Sequence, residues 1–564
     1  MRPHHSSPSQ NPTECCLCPT ARATAPFGLG KAGKQGQPRI LPASRDLILP
    51  CLNLIFNVNI LVEMIAFQNT IIWLVLLIAV VVAQSIVAAA TGKRLSDRRM
   101  LSSTMRLGEY WHLYLAAVIF ASVVLRASTL NIISITSDEG FFIYSAYKHF
   151  TGARPYADFM FTQQPVYLYV TSAVFNLLGV GVFQAKLVPT LASVATILLT
   201  YHVAGRFWSR EHALASTAVL GLSHFVFKFT NAATAYAELI LLHLIAAYLF
   251  LEGRSRGKRA YLLASGACVG AAALYKMLGL VALGPMFLTV ILRDRKNIIP
   301  CLAPVVAGFI LVYAPATALL WSPEYFYQVY VHHSLYQDSG LGCKLFEFLK
   351  VLAVDPLFTV PSVFGACHVI KSGKRRFEED YLLMYLLSSL PPVLFLKYLC
   401  GYSHPYLYFT LSIIPLSLLA GFSFDNARES MMPVLVSLLL VSLFSYYVFI
   451  VSESYGNMVV NVLSSYVSEN SGEDEQIMGL SYLACPVAFR TGREIPGEFM
   501  EFYGLHVGAL NRSPEYYREH AGDVRFALMY DVSGFGGFYG FLAENATLVK
   551  SVGTLRPVRV YRIG

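Results

Sequence analysis

Long apolar runs separated by short basic connectors dominate the chain from residue 110 onward. A helix needs about 17 to 25 mostly apolar residues to cross the hydrocarbon core of a bilayer. Such runs predict eleven core spans, near 110–128, 184–205, 211–228, 237–252, 260–276, 278–292, 298–319, 351–370, 381–397, 406–422 and 431–452. Runs at 67–90 and, more weakly, at 47–62 predict one or two further N-terminal helices. The pattern is typical of a mainly α, polytopic transmembrane helical bundle.

Composition agrees with a membrane protein. The 564 residues are 55% hydrophobic and 14% charged, and their mean hydropathy is +0.52, whereas soluble domains carry roughly a quarter charged residues. The net charge of +9 comes from short Lys and Arg clusters between apolar runs and not from one continuous basic face. We therefore expect a lipid bilayer as a partner and no nucleic acid.

The basic connectors predict the orientation of the spans. Lys and Arg are enriched in cytoplasmic loops, so two successive basic connectors must be separated by an even number of crossings. The apolar stretch 165–180 would break this parity if it crossed, and we therefore expect it to be a helix along the outer surface. Its Tyr167 and Tyr169 suit the headgroup region, where amphipathic aromatic rings concentrate.

Four regions follow from this topology. Residues 1–45, rich in Ser, Pro, Gly and basic residues, predict a disordered leader. Residues 46–106 form an N-terminal membrane helix region with a basic cytoplasmic loop. Residues 107–452 form the membrane domain, whose first outer loop is 129–183. Residues 453–564 turn polar, and we expect them to form a small extracytoplasmic α/β domain with strands near 525–530, 546–552 and 558–563.

The first outer loop contains an acidic pair, Asp138 and Glu139, about ten residues beyond a span. A carboxylate near the interface, shielded by a loop and a surface helix, can accept a proton from a hydroxyl group. The alternative is that both acids are simply solvated.

Five cations fall at the predicted outer ends of spans, where positive charge should be depleted. They are Arg126, Lys186, Lys228, Lys276 and Lys397. Several cations at one depth suit a phosphate leaving group. The alternative is that each side chain independently reaches the lipid headgroups.

The stretch after the acidic pair resembles the dolichyl-phosphate-mannose protein mannosyltransferase family in its broad sense. This family of C-type glycosyltransferase fold includes the bacterial lipid A aminoarabinose transferase. The ordered features that carry the resemblance are the acidic pair, Gly152, Pro155, Tyr156, Asp158, Phe159, Pro165, Gly179, Lys186 and Pro189. The resemblance is clearest over 130–205 and looser to about 450.

The resemblance implies roles for individual residues. It makes Asp138 the catalytic base with Glu139 beside it, and it places Lys186 where the family most often has Arg, a residue that holds phosphate differently. Asp158 matches a common family position, although it also suits a capping role. Glu238 resembles the second acidic position of the family, and the alternative is an ordinary interfacial acid.

Two further segments contain candidates for substrate contacts. Lys397 directly precedes the segment YLCGYSHPYLYF (398–409). The resemblance makes Lys397, His404 and Tyr406 ligands of the carrier phosphate, and the alternative is an aromatic interface belt. The aromatic loop 321–346 carries His332 and His333 and is suited to closing over a polyprenyl chain. Adjacent histidines are poor evidence for a metal site. We expect no metal ligands and no certain cofactor, and leave open a divalent metal.

The leading hypothesis is an inverting glycosyltransferase of mannosyltransferase-like type. It transfers a sugar from dolichyl or undecaprenyl phosphate to a protein, lipid or glycan acceptor. The active loop lies on the extracytoplasmic side of a prokaryotic plasma membrane or of the ER membrane. The alternatives are a transporter or flippase of lipid-linked sugars and a catalytically silent glycolipid-binding relative.

Overall fold

The computed structural model describes residues 107–134, 138–332, 355–400, 409–424, 432–500, 514–530, 536–552 and 557–564. The predicted leader and the predicted N-terminal helices lie outside these ranges. In the first half of the described chain the helices are α1 (Leu107–Ala127), α2 (Glu139–Phe150), α3 (Val166–Leu178), α4 (Val182–Phe207), α5 (Arg210–Leu222), α6 (His224–Thr230), α7 (Tyr236–Arg256), α8 (Arg259–Tyr275), α9 (Leu283–Arg293) and α10 (Ile298–Leu320).

The second half contains further helices and all the strands described. The helices are α11 (Pro323–Phe326), α12 (Pro356–Lys371), α13 (Phe377–Cys400), α14 (Ile413–Ala420), α15 (Met432–Asn470), α16 (Ser481–Thr491), α17 (Pro514–His520) and α18 (Gly536–Asn545). The strands are β1 (Gln476–Gly479), β2 (Val524–Tyr530), β3 (Ala546–Val552) and β4 (Val558–Ile563). Short 3-10 turns lie at Met277–Ala282, Arg295–Asn297, Phe409–Ser412, Gly421–Ser423 and Gly497–Phe499, and a π-helical turn lies at Tyr327–Val331.

The protein is mainly helical, and several of its helices are suited to a membrane. Within the described ranges α4, α7, α10 and α15 are long and apolar enough to cross a bilayer, and α5 with α6 would form a fifth span bent by 63°. Where they are described, the eleven predicted apolar runs fall largely on helical structure, and the run 211–228 is broken at Ser223. The chain is therefore an integral membrane protein, and the number of eleven spans stays a prediction.

The break between α5 and α6 results from capping by a distant carboxylate. Ser223 has an extended backbone, and its hydroxyl accepts the N–H of Val226. The buried Asp355 accepts the Ser223 hydroxyl at 2.7 Å and the Phe225 N–H at 2.9 Å, and it also accepts the Phe358 N–H as the cap of α12. One carboxylate thus satisfies the free N–H groups at the start of two helices.

The four strands form one mixed sheet in the order β1-β2-β4-β3. β1 is parallel to β2, whereas β4 is antiparallel to both β2 and β3. The three strands predicted from the sequence coincide with β2, β3 and β4, and β1 was not predicted. That these residues form a separate extracytoplasmic domain stays a prediction.

The sheet shares a hydrophobic core with the segment that follows the acidic pair. Phe141, Phe142 and Tyr167 belong to the same buried cluster as Phe526 and Val560 of the sheet. α15, whose 39 residues extend over about 58 Å, links this cluster to the helical bundle. The C-terminal region therefore packs directly beside the predicted catalytic loop.

The predicted surface segment is the helix α3, whose 13 residues are too few to cross a bilayer. Tyr169 is 42% exposed, but Tyr167 is 1% exposed, and its ring lies edge-on against Phe142 at 5.0 Å between centroids. The placement of Tyr167 in the headgroup region is wrong, because this face of α3 packs against α2. The position of α3 along the membrane surface stays a prediction.

Candidate active site

The acidic pair lies at the start of α2, and its two side chains have different surroundings. Asp138 is the cap residue of α2, and its carbonyl accepts the N–H of Phe142 at 3.0 Å. The Asp138 side chain makes no capping bond and is partly exposed. Glu139 is completely buried. The pair therefore combines a partly exposed residue with a completely buried one.

The Glu139 carboxylate is held by three elements of the protein. The backbone N–H groups of Ser134 and Ala233 each donate to it at 2.8 Å. The Lys186 ammonium lies 3.1 Å from its Oε1 atom and donates to the carbonyl of Ile132 at 2.9 Å. Both side chains are nearly inaccessible, at 0% and 5% exposure. A buried ion pair of this kind is stable only when further hydrogen bonds satisfy its members, and here the backbone supplies them.

Lys276 is a second buried cation close to the acidic pair. It ends α8 with an extended backbone, after which the chain continues as a 3-10 turn. Its ammonium lies 4.7 Å from the ring centre of Phe142 and 4.4 Å from that of Tyr236, and it donates to the side-chain carbonyl of Gln163 at 3.4 Å. Aromatic faces attract a desolvated cation. The site therefore keeps a positive charge buried between two rings.

Glu238 lies in the first turn of α7, two residues after Tyr236. It is 5% exposed, and its Oε2 atom has no hydrogen-bond partner among the described residues. A buried carboxylate oxygen without a donor is costly. This atom is thus available to a donor group that enters the site.

Glutamine and tyrosine side chains form a polar cluster beside Met277, the residue after Lys276. The side-chain carbonyl of Gln164 accepts the Tyr325 hydroxyl at 2.9 Å, and its amide donates to the sulfur of Met277 at 3.1 Å. The hydroxyls of Tyr313 and Tyr330 lie 2.8 Å apart. The cluster connects the loop after α2, the residue beside Lys276 and the segment after α10.

The loop after α2 is clasped by the segment that follows α10. Gln328 donates to the carbonyl of Tyr156 and accepts the N–H of Phe161, both at 2.9 Å. Tyr156 has a φ of 70°, a conformation that is uncommon for residues other than glycine. Gln328 belongs to the π-helical turn, a feature frequent at functional sites. The loop at Tyr156 and the π-helical turn, both with unusual backbone conformations, are therefore joined by hydrogen bonds.

Asp158 lies in the same loop but at the surface. The Arg154 guanidinium donates to both of its carboxylate oxygens, at 2.8 and 3.1 Å. This bidentate contact lowers the pKa of Asp158 to about 2. The pair closes the turn between the two residues and keeps the Asp158 carboxylate engaged.

Comparison with known proteins supports the family resemblance. The model of the dolichyl-phosphate-mannose-protein mannosyltransferase family matches residues 162–321. The fold is similar to that of ArnT from Cupriavidus metallidurans in the apo state, with a TM-score of 0.60, 17% identity and coverage of 80% of this chain and 98% of that chain. The complex of ArnT from the same organism with undecaprenyl phosphate gives a TM-score of 0.59 and 16% identity. The match covers 81% of this chain and 98% of that chain.

The family resemblance is confirmed. The chain has the fold of C-type glycosyltransferases. The oligosaccharyltransferase of Archaeoglobus fulgidus in complex with Zn and sulfate is a more distant match, with a TM-score of 0.47, 13% identity and coverage of 73% of this chain and 68% of that chain. No curated protein matches the chain.

The C-type fold brings some predicted site residues together. Asp138, Glu139, Lys186, Glu238 and Lys276 all lie at one end of the bundle, in or beside the segment around α2. His332 follows the π-helical turn and is buried. Lys397 lies in α13, but its side chain is outside the described part, as are the whole of His333, His404 and Tyr406. The described ranges hold no group of three or more His, Cys, Asp or Glu that could bind a metal ion.

Arg126 and Lys228, two other predicted rim cations, lie within the bundle. Arg126 is completely buried and donates to the hydroxyls of Ser193 at 2.7 Å and Thr230 at 3.4 Å. The Lys228 ammonium lies 6.0 Å from the ring centre of Phe449. These contacts connect α1, α4, α6 and α15.

Sequence reasoning missed the contributions of Gln163, Gln164 and Gln328. Their contacts join positions more than a hundred residues apart, and single glutamines carry no local signal. The aromatic character of the segment after α10 was noticed, but nothing in it distinguished Tyr325 and Tyr330 as members of a hydrogen-bonded cluster.

Proposed function

We propose that the protein is a membrane glycosyltransferase that transfers a sugar from a polyprenyl phosphate to a hydroxyl or amine of a protein, lipid or glycan. The reaction takes place at the end of the bundle that holds the acidic pair, on the extracytoplasmic side. The coarser assignment to glycosyltransferases is supported by the family model and by the fold. ArnT was solved with undecaprenyl phosphate, which favours a donor of this class.

The observation that carries the proposal is the buried Lys276 ammonium beside the first turn of α2, the helix that Asp138 caps. Asp138 is bonded through its carbonyl to the N–H of Phe142, and the Lys276 ammonium lies over the ring of the same residue. Asp138, which is partly exposed, thus lies at the start of the same helix whose Phe142 ring contacts the buried Lys276 ammonium. Sugar transfer from a phosphate requires a base and a cation of this kind.

In the proposed step, the Asp138 carboxylate accepts the proton of the acceptor hydroxyl or amine. The acceptor atom forms a bond to the anomeric carbon from the face opposite the phosphate, and the bond between that carbon and the phosphate oxygen breaks. The lipid phosphate leaves with the bonding electrons. Lys276 stabilises the charge that develops on it, and a single displacement of this kind inverts the anomeric centre.

The remaining candidates take supporting roles in this proposal. Glu139 and Lys186 neutralise each other, so we assign Lys186 to holding the acidic pair and Lys276 to the phosphate. Lys397, His404 and Tyr406 stay proposed phosphate ligands. Asp158, Glu238, His332 and His333 stay proposed substrate contacts, and the unpartnered oxygen of Glu238 favours a hydrogen-bond donor on the sugar or the acceptor.

Replacement of Asp138 tests the proposal. Membranes containing the protein receive radiolabelled mannosyl phosphodolichol or mannosyl phosphoundecaprenol, and label leaving the carrier is measured. We expect Asp138→Asn to reduce the transfer rate by about 10²- to 10⁴-fold, the usual contribution of general acid–base catalysis. Binding of the carrier phosphate should remain.

Asp294→Asn provides the matched control. Asp294 is paired with Arg254 at 3.1 Å at the opposite end of the bundle, so its replacement should leave transfer unchanged. Normal transfer by the Asp138→Asn variant would remove Asp138 as the base. Movement of the intact glycolipid across the membrane without release of label would favour a flippase.

A further inference from the structure

The helix that begins with the acidic pair is packed against the C-terminal region without space for a side chain. Gly140 directly follows Glu139, and a Cβ atom added there would overlap the ring atoms Cγ and Cδ of Pro486 in α16. A proline ring cannot move away as the end of a flexible side chain can. The first turn of α2 therefore has its position set by α16.

The same face of α2 contacts the C-terminal region along its length. Positions four residues apart lie on one face of a helix, and Gly140 is followed on this face by Tyr144 and Lys148. The Tyr144 hydroxyl donates to the carbonyl of Arg493 at 3.3 Å and accepts the N–H of Ile495 at 3.1 Å.

Lys148 forms the last contact of this face, a 2.6 Å ion pair with Glu494. We call the contact between this face of α2 (Gly140, Tyr144 and Lys148) and residues 486–495 the seam. It includes one close contact, two hydrogen bonds and one ion pair. It extends along α2 from the residue after the acidic pair almost to the end of the helix.

The loop after α2 is seated on the same C-terminal region. The N–H of Met160 donates to the carbonyl of Gly497 at 3.1 Å. A Cβ atom at Gly497 would lie 2.7 Å from the carbonyl oxygen of Asp158. The helix and its loop therefore rest on residues 486–497 at two points of very close approach.

The opposite attachment of α2 is to the bundle, through Glu139. Its carboxylate is bonded to Lys186 of α4 and to Ala233 between α6 and α7. In the first turn of α2, Glu139 is thus bonded to the bundle, and the next residue, Gly140, packs against the C-terminal region. Asp138 precedes both, and its position depends on both attachments.

We propose that residues 486–497 of the C-terminal region are a positioning element for the Asp138 carboxylate, acting through the seam between α2 and residues 486–495. This inference rests on the proposed function, because it assigns the C-terminal region a part in the same reaction. A displacement of a reacting group by 1 Å can slow a reaction about 100-fold. The region then contributes to the rate without contacting the substrate.

A second-site rescue tests the seam. Gly140→Ala forces α2 away from Pro486, and we expect kcat to fall about 10- to 100-fold, with a smaller change in KM for the radiolabelled mannosyl polyprenyl phosphate. Adding Pro486→Ala removes the two ring atoms that the new Cβ meets. We expect the double variant to recover most of the lost rate, because alanine is well tolerated within a helix.

A glycine at the opposite end of the bundle provides the control. A Cβ at Gly253 in α7 would lie 2.9 Å from Cβ of Tyr261, and this position is about 22 Å along α7 from Glu238. Gly253→Ala introduces milder crowding away from the site and should leave kcat unchanged, and Pro486→Ala should not rescue any defect that it causes.

Hydrogen exchange of residues 139–150 provides a readout that does not depend on the reaction. Gly140→Ala should increase exchange in this helix, and the double variant should restore the wild-type pattern. If Gly140→Ala does not fold, Tyr144→Phe, which removes the bonds to Arg493 and Ile495, should give a weaker increase in exchange and a smaller loss of kcat.

Three outcomes separate the inference from the proposed function. Wild-type exchange and wild-type kcat in Gly140→Ala would overturn the inference, and so would a defect that Pro486→Ala fails to rescue. A wild-type protein that transfers no sugar would overturn the proposed function. In that case, rescue of the exchange pattern would still support the seam, and its failure would overturn it.

Discussion

The two ends of the helical bundle handle charge in opposite ways. At one end, which we call the arginine end, Glu252 is fully buried but pairs with Arg206 and Arg256, each of which is 43% exposed. The other end, which we call the acid end, holds Asp138, Glu139, Lys186 and Lys276. Here the cations themselves are buried, Lys186 in its ion pair with Glu139 and Lys276 between two aromatic rings.

The difference shows where charge is retained in spite of its desolvation cost. Arginines that stay in contact with solvent can stabilise the ends of helices while they keep most of their hydration, so their desolvation free energy is small. Removing a cation from water costs several kcal/mol unless partners replace the lost hydration, and at the acid end these partners are a carboxylate, a backbone carbonyl and two rings. Buried charge in a membrane protein is a signal of function. This contrast favours the acid end as the site of chemistry.

The largest expected effect that tests this contrast comes from the two buried carboxylates. Glu139→Gln leaves Lys186 buried without its countercharge, and we expect a loss of about 3–5 kcal/mol in the free energy of unfolding. Glu252→Gln leaves Arg206 and Arg256 in contact with solvent, so we expect a smaller loss in the free energy of unfolding. Denaturant unfolding in detergent measures both, and equal losses would contradict the contrast.

The aromatic-held cations of the two ends provide a second test. Lys276→Met should weaken binding of polyprenyl phosphate by at least about tenfold, since a hydrogen bond to a charged group contributes roughly 1.5–3 kcal/mol. Arg254, whose guanidinium lies 3.5 Å from the ring centre of Phe377, is the matched cation at the arginine end. Arg254→Met should bind the lipid phosphate normally, and an equal loss in both variants would argue against a phosphate site at Lys276.

The smallest expected effect concerns an exposed pair near the acid end. The pKa of Asp158 is lowered from its ordinary 3.8 to about 2 by Arg154, so the pair stabilises the fold above pH 4 and this contribution disappears as the pH falls toward 2. Solvent screens such pairs. Asp158→Asn should lower the melting temperature slightly at pH 7 in low salt, and the difference should shrink at pH 3 or in 1 M NaCl. A difference as large at pH 3 as at pH 7 would contradict this assignment.

Much of the fold could be predicted from local pattern. The apolar runs coincide with helices because a bilayer-spanning helix must be apolar over consecutive residues. Three strands with clear alternation were also predicted. β1 was not, because Gln476–Gly479 is short and exists as a strand through its parallel pairing with β2. The break at Ser223 was missed because the carboxylate that caps α6 belongs to Asp355, far along the chain.

The site was predictable in its residue types but not in their contacts. Charge at the ends of apolar runs made Lys186 and Lys276 candidates, since ionisable groups at those depths are rare. Asp138 and Glu139 became candidates as an acidic pair shortly beyond a run. Their partners could not be predicted, because each is supplied by another element of the fold. Gln163 next to Lys276 is an example.

Hydropathy and the order of charged residues were sufficient to identify a membrane protein with an acidic pair beyond its first core span. Those properties depend on consecutive residues and survive any arrangement of the helices. The difference in burial within the pair depends on folding, because Glu139 and Asp138 are neighbours along the chain. The ion pair with α4 buries Glu139 beside Lys186, packing against α16 closes the space at Gly140, and Asp138 stays partly exposed.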